Sequence, residues 1–93
     1  MKLLLCTEPT CTDVVRLFGG APRRCRCGAS SGRYLDEKRV EISGPAVILG
    51  VDNVAFEAAH RRWADQDAAQ VNLFFLPAGA STVERRERRR RAS

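Results

Sequence analysis

The chain has 93 residues, enough for one small domain with a terminal extension and a modest hydrophobic core. Its formal net charge is +5, but residues 84–91 carry six arginines and two glutamates, so the rest of the chain is nearly neutral. No apolar run approaches the roughly 18 residues of a membrane span, and Leu3–Leu5 is too short for a secretory signal. We therefore expect a cytoplasmic protein without a membrane partner.

The predicted elements of the N-terminal half are short strands separated by turns. Lys2–Leu5 is predicted to be a strand that ends at the first cysteine, and residues 12–18 form a second strand-like run. Gly19–Pro22 is typical of a hairpin tip. Gly28, directly after the last cysteine, suits a backbone whose amides turn inward toward sulfur atoms. This order of elements is that of a zinc ribbon.

Four cysteines follow the pattern C-x4-C, a spacer of thirteen residues and C-x-C: Cys6, Cys11, Cys25 and Cys27. Each pair can present two thiolates to one point, and the spacer is long enough for a hairpin to bring the pairs together. Four soft ligands on tight turns meet the requirements of a tetrahedral zinc site with Zn–S bonds of roughly 2.3 Å. A reducing compartment favours metal over disulfides, and a bond between Cys25 and Cys27 would close a strained ring. We expect zinc as the cofactor.

The C-terminal half alternates strands with one helix. Arg39–Ser43 is predicted to be a half-buried strand, Ala46–Val51 a central strand and residues 71–76 a final strand. Asp52 and Asn53 supply an N-cap for a helix over residues 54–64, one side of which is largely apolar or aromatic: Phe56, Ala59, His60 and Trp63.

These elements predict an α+β fold, with an N-terminal four-cysteine zinc ribbon joined to a small antiparallel or mixed sheet and one covering helix. The domain is expected to span residues 1–79. Apolar content falls after that point, so residues 80–93 are expected to form a flexible, Arg-rich tail.

The pattern favours a structural over a catalytic zinc, because four thiolates leave no open coordination position and no histidine or glutamate pair neighbours them. His60 is the only histidine; it is either a base partnered by Glu57 or a packing residue at the core edge, and we favour packing. No recognisable nucleophile or phosphate-loop motif is present, so we do not expect an enzyme.

Gly32–Asp36 is a polar constellation with two interpretations. An Arg33 guanidinium beside the Tyr34 ring suits a phosphate or a nucleobase. Alternatively, Tyr34 packs in the core while Arg33 pairs with Asp36 or Glu37 at the surface. The residues expected to contact a ligand come from this group, from the second cysteine pair and from the helix cap: Arg24, Arg26, Arg33, Tyr34, Asp36 and Asn53. The C-terminal arginines either bind phosphate backbones or serve only solubility.

Several short motifs lie between Leu4 and Phe56: the first cysteine pair, Asp13-Val14-Val15, Arg23 to Gly28, Ser30 to Asp36 and Gly50 to Phe56. With these motifs the chain resembles a group of short, uncharacterised zinc-ribbon-like proteins of bacteria, notably actinobacteria, and their phages. The match covers rather more than half of the chain, and the first pair has two residues more than the usual C-x-x-C. The resemblance implies a zinc site and a prokaryotic or phage origin, but no activity.

The leading expectation is a non-enzymatic, zinc-stabilised binding module that contacts nucleic acid or a nucleotide-like ligand through basic residues. The alternative is a small bacterial or phage regulator that docks on a larger protein machine through the exposed part of the sheet or helix. A redox or metal-handling role for Cys25 and Cys27 forms a third class, and it would require a labile metal or reversible thiol oxidation.

Overall fold

The computed structural model of the protein describes residues 1–86, which contain eight strands and one helix. The elements in chain order are β1 (Lys2–Cys6), β2 (Val14–Arg16), β3 (Arg23–Arg24), β4 (Ser31–Tyr34), β5 (Val40–Ser43), β6 (Ala46–Val51), α1 (Asn53–Gln66), β7 (Leu73–Phe75) and β8 (Val83–Arg85). The predicted α+β class is confirmed. Among the described residues, no helix is long and apolar enough to cross a membrane.

The strands form two four-stranded sheets, where the sequence predicted one. Sheet A has the order β2-β1-β6-β7 and is antiparallel throughout, and sheet B has the order β3-β4-β5-β8. Sheet B is mixed, because β5 pairs antiparallel with β4 but parallel with β8. The most apolar segment, Ala46–Val51, lies inside sheet A as predicted for a central strand.

The predicted hairpin tip at Gly19–Pro22 is instead a crossing between the sheets. β2 pairs with β1 in sheet A, whereas β3 pairs with β4 in sheet B. Gly20 has a φ of 87°, a left-handed conformation that favours glycine and lets the chain change direction here. β2 and β3 are thus consecutive edge strands of different sheets.

The main hydrophobic core lies between the two sheets. Its fully buried members come from both of them: Leu4, Leu17, Ala46 and Ile48 from sheet A and the turn after β2, and Val40 and Ile42 from sheet B. Gly32 of β4 permits a close approach, because a Cβ there would lie 3.0 Å from the Leu4 side chain. Tyr34 packs against this core from one side.

Helix α1 begins as the sequence predicted. The Asp52 carboxylate accepts hydrogen bonds from the Val54 and Ala55 N–H groups, at 2.9 and 3.3 Å, and thereby satisfies two free donors of the first turn. Asn53 is the first helical residue. The helix continues to Gln66, where Asp67 ends it in a left-handed conformation with a φ of 59°.

The aromatic side of α1 does not cover the sheet in the way the sequence predicted. Phe56 is 47% exposed and Trp63 is 52% exposed, and Ala59 is the one buried residue of the helix. His60 is also exposed and stacks on Trp63 with 5.8 Å between ring centroids, rather than packing at the core edge.

The small residues of α1 line a groove instead. Ala55 and Ala58 share a groove with Val71 and Phe74, so the alanine side of the helix faces the chain that leads into β7. A groove of about 610 Å³ lies between the alanines and this chain, and the aromatic rings of Phe56 and Trp63 are exposed.

Part of the segment predicted to be a tail belongs to the fold. β8 continues sheet B, with Val83 opposite Val40 and Arg85 opposite Ile42. The Arg85 guanidinium donates hydrogen bonds to the carbonyls of Gly44 and Ala46, at 2.9 and 2.8 Å. The fold therefore extends beyond residue 79, whereas the arginine run at 88–91 lies outside the described residues.

Candidate metal centre and basic surface

The four cysteines lie in two hairpin loops, one from each sheet. Cys6 is the last residue of β1, and Cys11 lies in the loop between β1 and β2. These two strands form a hairpin of sheet A. Cys25 and Cys27 lie in the loop between β3 and β4, a hairpin of sheet B. The cysteine cluster therefore joins the ends of two sheets that otherwise meet through the hydrophobic core.

The sulfur atoms are arranged as metal ligands. All four lie within 4.8 Å of one another, and the Cys27 sulfur is 3.8 Å from that of Cys6 and 3.5 Å from that of Cys25. Tetrahedral bonds of roughly 2.3 Å place ligand sulfurs about 3.8 Å apart, whereas a disulfide bond is about 2.05 Å long. The four thiols are free, and their spacing fits a single metal ion.

Backbone N–H groups of the second loop point at the sulfurs. The Ala29 N–H donates to the Cys27 sulfur and the Ser30 N–H to the Cys25 sulfur, both at 3.4 Å. Gly28 makes this turn possible, because it has a φ of 81° and its N–H donates to the Cys25 carbonyl at 3.0 Å. Such N–H···S bonds stabilise the thiolate form that binds metal.

The thiols differ in acidity because they crowd one another. Burial opposes ionisation of Cys25, but hydrogen bonds from Ser30 and neighbouring groups lower the pKa of its thiol to about 6. The Ala29 N–H favours the Cys27 thiolate, yet its thiol neighbours, first among them Cys25, raise the pKa of Cys27 to about 12. Without a cation the cluster thus does not hold four thiolates at neutral pH, and a bound cation removes that restriction.

Ser30 is a site residue that sequence reasoning missed. It is 1% exposed, and its hydroxyl lies 3.0 Å from the Pro45 carbonyl and 3.5 Å from the Cys6 sulfur. It therefore connects the cysteine cluster to the turn between β5 and β6. No motif in the sequence marks this role, because the contact with Cys6 spans 24 residues.

Arg26 connects the two cysteine loops. Its backbone N–H donates to the Asp13 carboxylate at 2.8 Å, and its guanidinium donates to the Cys11 carbonyl at 2.9 Å. This residue was predicted to contact a ligand, and the structure shows it holding the second loop against the first. Arg24 is exposed in the edge strand β3.

The other predicted ligand contacts are spread over the domain rather than gathered at one point. Arg33 donates to Glu41 at 3.4 Å and to the Gly20 carbonyl at 3.2 Å, so it holds the crossing between the sheets. The Tyr34 hydroxyl accepts a hydrogen bond from the Lys2 N–H at 2.9 Å. Asn53 accepts one from the N-terminal ammonium group at 2.7 Å.

Asp36 organises the turn between β4 and β5. Its carboxylate accepts hydrogen bonds from the Lys38 and Arg39 N–H groups and from the Arg39 guanidinium, at 2.8–2.9 Å. These bonds, led by the Arg39 N–H, hold the pKa of the Asp36 carboxyl well below its usual range.

A second feature missed by sequence reasoning is an exposed aromatic ring with two arginines close to it. Phe18 is 42% exposed, and the guanidinium carbons of Arg16 and Arg23 lie 5.0 and 5.1 Å from its ring centroid. We call these three residues the Phe18 stack. The spacing Arg16-x-Phe18 signals a shared strand face, but the approach of Arg23 depends on the crossing between the sheets.

Two members of the Phe18 stack, Arg16 and Phe18, line an open groove of about 510 Å³. Its wall includes the two glycines of the crossing, one side of Tyr34 and the turn after β4: Gly19, Gly20, Tyr34, Leu35, Asp36 and Glu37. A neighbouring groove of about 410 Å³ shares Arg16 and Tyr34 and reaches Asn53 and Phe56. Tyr34, Asp36 and Asn53 thus border connected surface depressions, although they do not converge on one point.

Fold and site together define a small two-sheet α+β domain with a four-cysteine candidate metal centre at one junction of the sheets. Comparison with known protein families, curated proteins and solved structures finds no match for the chain. The site is therefore interpreted from its own geometry.

Proposed function

We propose that the protein is a non-enzymatic binding module that is stabilised by a structural zinc ion and contacts nucleic acid through its basic surface. The observation that carries this proposal is the Phe18 stack, an exposed aromatic ring with two guanidinium groups at 5.0 and 5.1 Å from its centroid. Arginine and aromatic side chains in one surface are the usual means of contacting phosphates and bases together.

Zinc is the metal that the four ligands fit best. Four thiolates at tetrahedral spacing select zinc or iron–sulfur chemistry among common protein metals, and a single ion in two short hairpin loops is the structural zinc arrangement. The cluster supplies four protein ligands and leaves no position for a reacting water, which supports a structural role. The paired hairpin loops also support the zinc-ribbon assignment.

Elemental analysis of protein purified without added metal tests the centre. We expect one zinc per chain, held by Cys6, Cys11, Cys25 and Cys27, and we expect Cys11→Ser to lose most of it. An Asp67→Ser variant, changed at the far end of α1, is the control and should retain full zinc. Protein without metal whose thiols are paired as disulfides would contradict the proposal.

The basic surface extends from the Phe18 stack toward the metal centre. Arg16 lies in β2, whereas Arg23 and Arg24 lie in β3, so the basic residues occupy the edge strands of both sheets. All three side chains are exposed, and Arg26 continues the surface at the second cysteine loop. Zinc fixes the second cysteine loop, and that loop fixes the end of β3.

Fluorescence anisotropy with labelled oligonucleotides tests the surface. The double variant Arg16→Ala/Arg23→Ala should weaken binding by about tenfold or more and lower the salt-dependence slope by about 1.4, at about 0.7 per phosphate contact to a single strand. The matched control is Arg61→Ala/Arg62→Ala on α1, which removes the same charge from exposed residues elsewhere. Equal losses in both variants would show that only net charge matters and would contradict the assigned surface.

A docking role on another protein is the second candidate, and a specific observation favours it. The strand β7 and helix α1 expose large apolar side chains: Phe56 at 47%, Trp63 at 52%, Leu73 at 52%, Phe74 at 53% and Phe75 at 67%. Apolar surface of this extent often marks a protein interface. A defined partner retained after nuclease treatment, bound by Arg16→Ala/Arg23→Ala but lost with Phe75→Asp, would establish this role instead.

A further inference from the structure

We propose that the groove beside the Phe18 stack binds one unpaired nucleobase of a single-stranded nucleic acid, with its flanking phosphates on Arg16 and Arg23. This inference names the ligand class of the proposed function and rests on it. It predicts that the protein distinguishes single strands from duplexes and intact strands from strands that lack bases.

The groove is widely open to solvent, and its volume is that of a small-molecule site. Its volume of about 510 Å³ falls within the roughly 300–1,000 Å³ that is common for such sites. Phe18 and Tyr34 both contribute to its lining, so a planar ring entering the groove meets aromatic carbon and the guanidinium groups beside Phe18. Tyr34 is held in place by the hydrogen bond from the Lys2 N–H and by packing against the core, which makes this wall rigid.

The charges around the groove give a bound nucleotide one orientation. The guanidinium groups of Arg16 and Arg23 flank Phe18, whereas Asp36 and Glu37 lie at the turn after β4. Phosphate is attracted to the arginines and repelled by the Glu37 carboxylate, whereas Asp36 is already ion-paired with Arg39. The base therefore lies in the groove while its phosphates remain at the arginine end, where a guanidinium plane can also stack on the base.

The groove is open because two residues at the crossing have no side chains. A Cβ at Gly19 would meet no atom within 4 Å, so a larger side chain there would occupy open space beside the groove without displacing the protein. Gly19 also lacks the positive φ of Gly20, so it tolerates other residues without backbone strain. Gly19 is therefore the position at which the groove can be filled while the fold is kept.

A duplex cannot use this groove in the same way. Paired bases are stacked on both faces, whereas a base in a single strand exposes a face that aromatic and guanidinium groups can cover. Stacking on an aromatic side chain contributes roughly 1–3 kcal/mol per base, which corresponds to about five- to 150-fold in affinity.

The experiment compares three fluorescein-labelled probes of about 12 nucleotides by anisotropy: a single-stranded DNA, its duplex, and a single strand with abasic sites. The zinc-loaded full chain should bind the intact single strand about tenfold more tightly than either of the others. Gly19→Leu should reduce single-strand binding about tenfold and leave abasic binding unchanged. Gly79→Leu is the matched control, because a Cβ there also meets no atom within 4 Å, and it should bind like the parent protein.

Zinc content and circular dichroism establish that each variant is folded. If Gly19→Leu fails to fold, Phe18→Ala tests the groove instead. Equal binding of all three probes, with Gly19→Leu and Phe18→Ala matching the parent, would overturn the groove proposal and leave the binding module intact. Absence of binding to every probe would overturn the proposed function together with this inference.

Discussion

Gly28 and Gly44 show at the residue scale how the candidate metal centre is supported by the rest of the chain. Their φ angles are 81° and 87°, so both adopt a conformation that favours glycine. Their surroundings differ. A Cβ at Gly28 would meet nothing within 4 Å, whereas one at Gly44 would lie 2.0 Å from the Ala29 carbonyl oxygen and 2.8 Å from the Ser30 Cα. Gly44 thus lets the β5–β6 turn pack directly under the second cysteine loop.

Substituting these two glycines distinguishes the cost of backbone strain from the cost of losing a close contact. Gly28→Ala should lower the free energy of unfolding by about 1–2 kcal/mol, the cost of a left-handed conformation with a side chain. Gly44→Ala should lower it by at least about 4 kcal/mol, because the loop that carries Cys25 and Cys27 must also move. Denaturant unfolding of zinc-loaded protein measures both. Similar losses for the two variants would show that the β5–β6 turn does not support the cysteine loop.

At the scale of elements, β8 shows that the first part of the C-terminal segment belongs to the folded domain. Composition alone places residues 80–93 in a tail, because apolar residues become rare there and arginines accumulate. In the structure, Val83 packs against the core and β8 pairs with β5. Arg39 also binds the Glu84 carboxylate at 2.8 Å. The charges within residues 80–86 are thus part of sheet B and its edge.

Two truncations should consequently behave differently. Removal of residues 87–93 leaves β8 in place, so the stability of the domain should be nearly unchanged. The slope of the logarithm of the binding constant against the logarithm of the salt concentration should fall by up to about 3, at about 0.7 per arginine–phosphate contact. Removal of residues 81–93 should also lower the melting temperature, because it exposes the edge of β5 and part of the core. Thermal melts and anisotropy titrations from low to moderate salt measure the two effects. Equal melting temperatures would mean that β8 adds nothing to stability.

The elements that could be predicted from sequence are those with a strong local signal. β1 is a short apolar run that ends at the first cysteine, β6 is an apolar run between breakers, and the Asp52 cap marks the start of α1. The cysteine spacing likewise identified the four residues that cluster. The division into two sheets could not be predicted in this way, because it depends on which distant strands pair.

The same limit applies to the surface residues. Arg33 and Tyr34 stand side by side in sequence, but their partners are Glu41, Gly20 and Lys2, all of which depend on strand pairing or on the crossing. The members of the Phe18 stack, in contrast, are spread over eight residues of the sequence. They meet only because the chain crosses between the sheets. Local sequence patterns identify metal ligands more readily than such surfaces, since ligand chemistry restricts residue type.

At the scale of the whole molecule, the candidate metal centre lies where two sheets that share a small core come together. One cysteine pair comes from the β1–β2 hairpin and the other from the β3–β4 hairpin, so a bound ion crosslinks them at one end. A domain of this size has a net stability of roughly 5–14 kcal/mol. Structural zinc sites contribute roughly 10–16 kcal/mol in small domains, an amount comparable with that total.

Removal of zinc should therefore unfold the domain rather than merely loosen one loop. A chelator in excess should abolish the cooperative thermal transition seen by circular dichroism, and added zinc should restore it. Acid should act in the same direction, since protons compete with the metal for thiolates and metal affinity falls as pH falls. The control is Thr10→Ala, an exposed change within the first cysteine loop that should respond like the parent protein. A zinc-free chain that retains the same cooperative transition would show that the hydrophobic core alone holds the two sheets together.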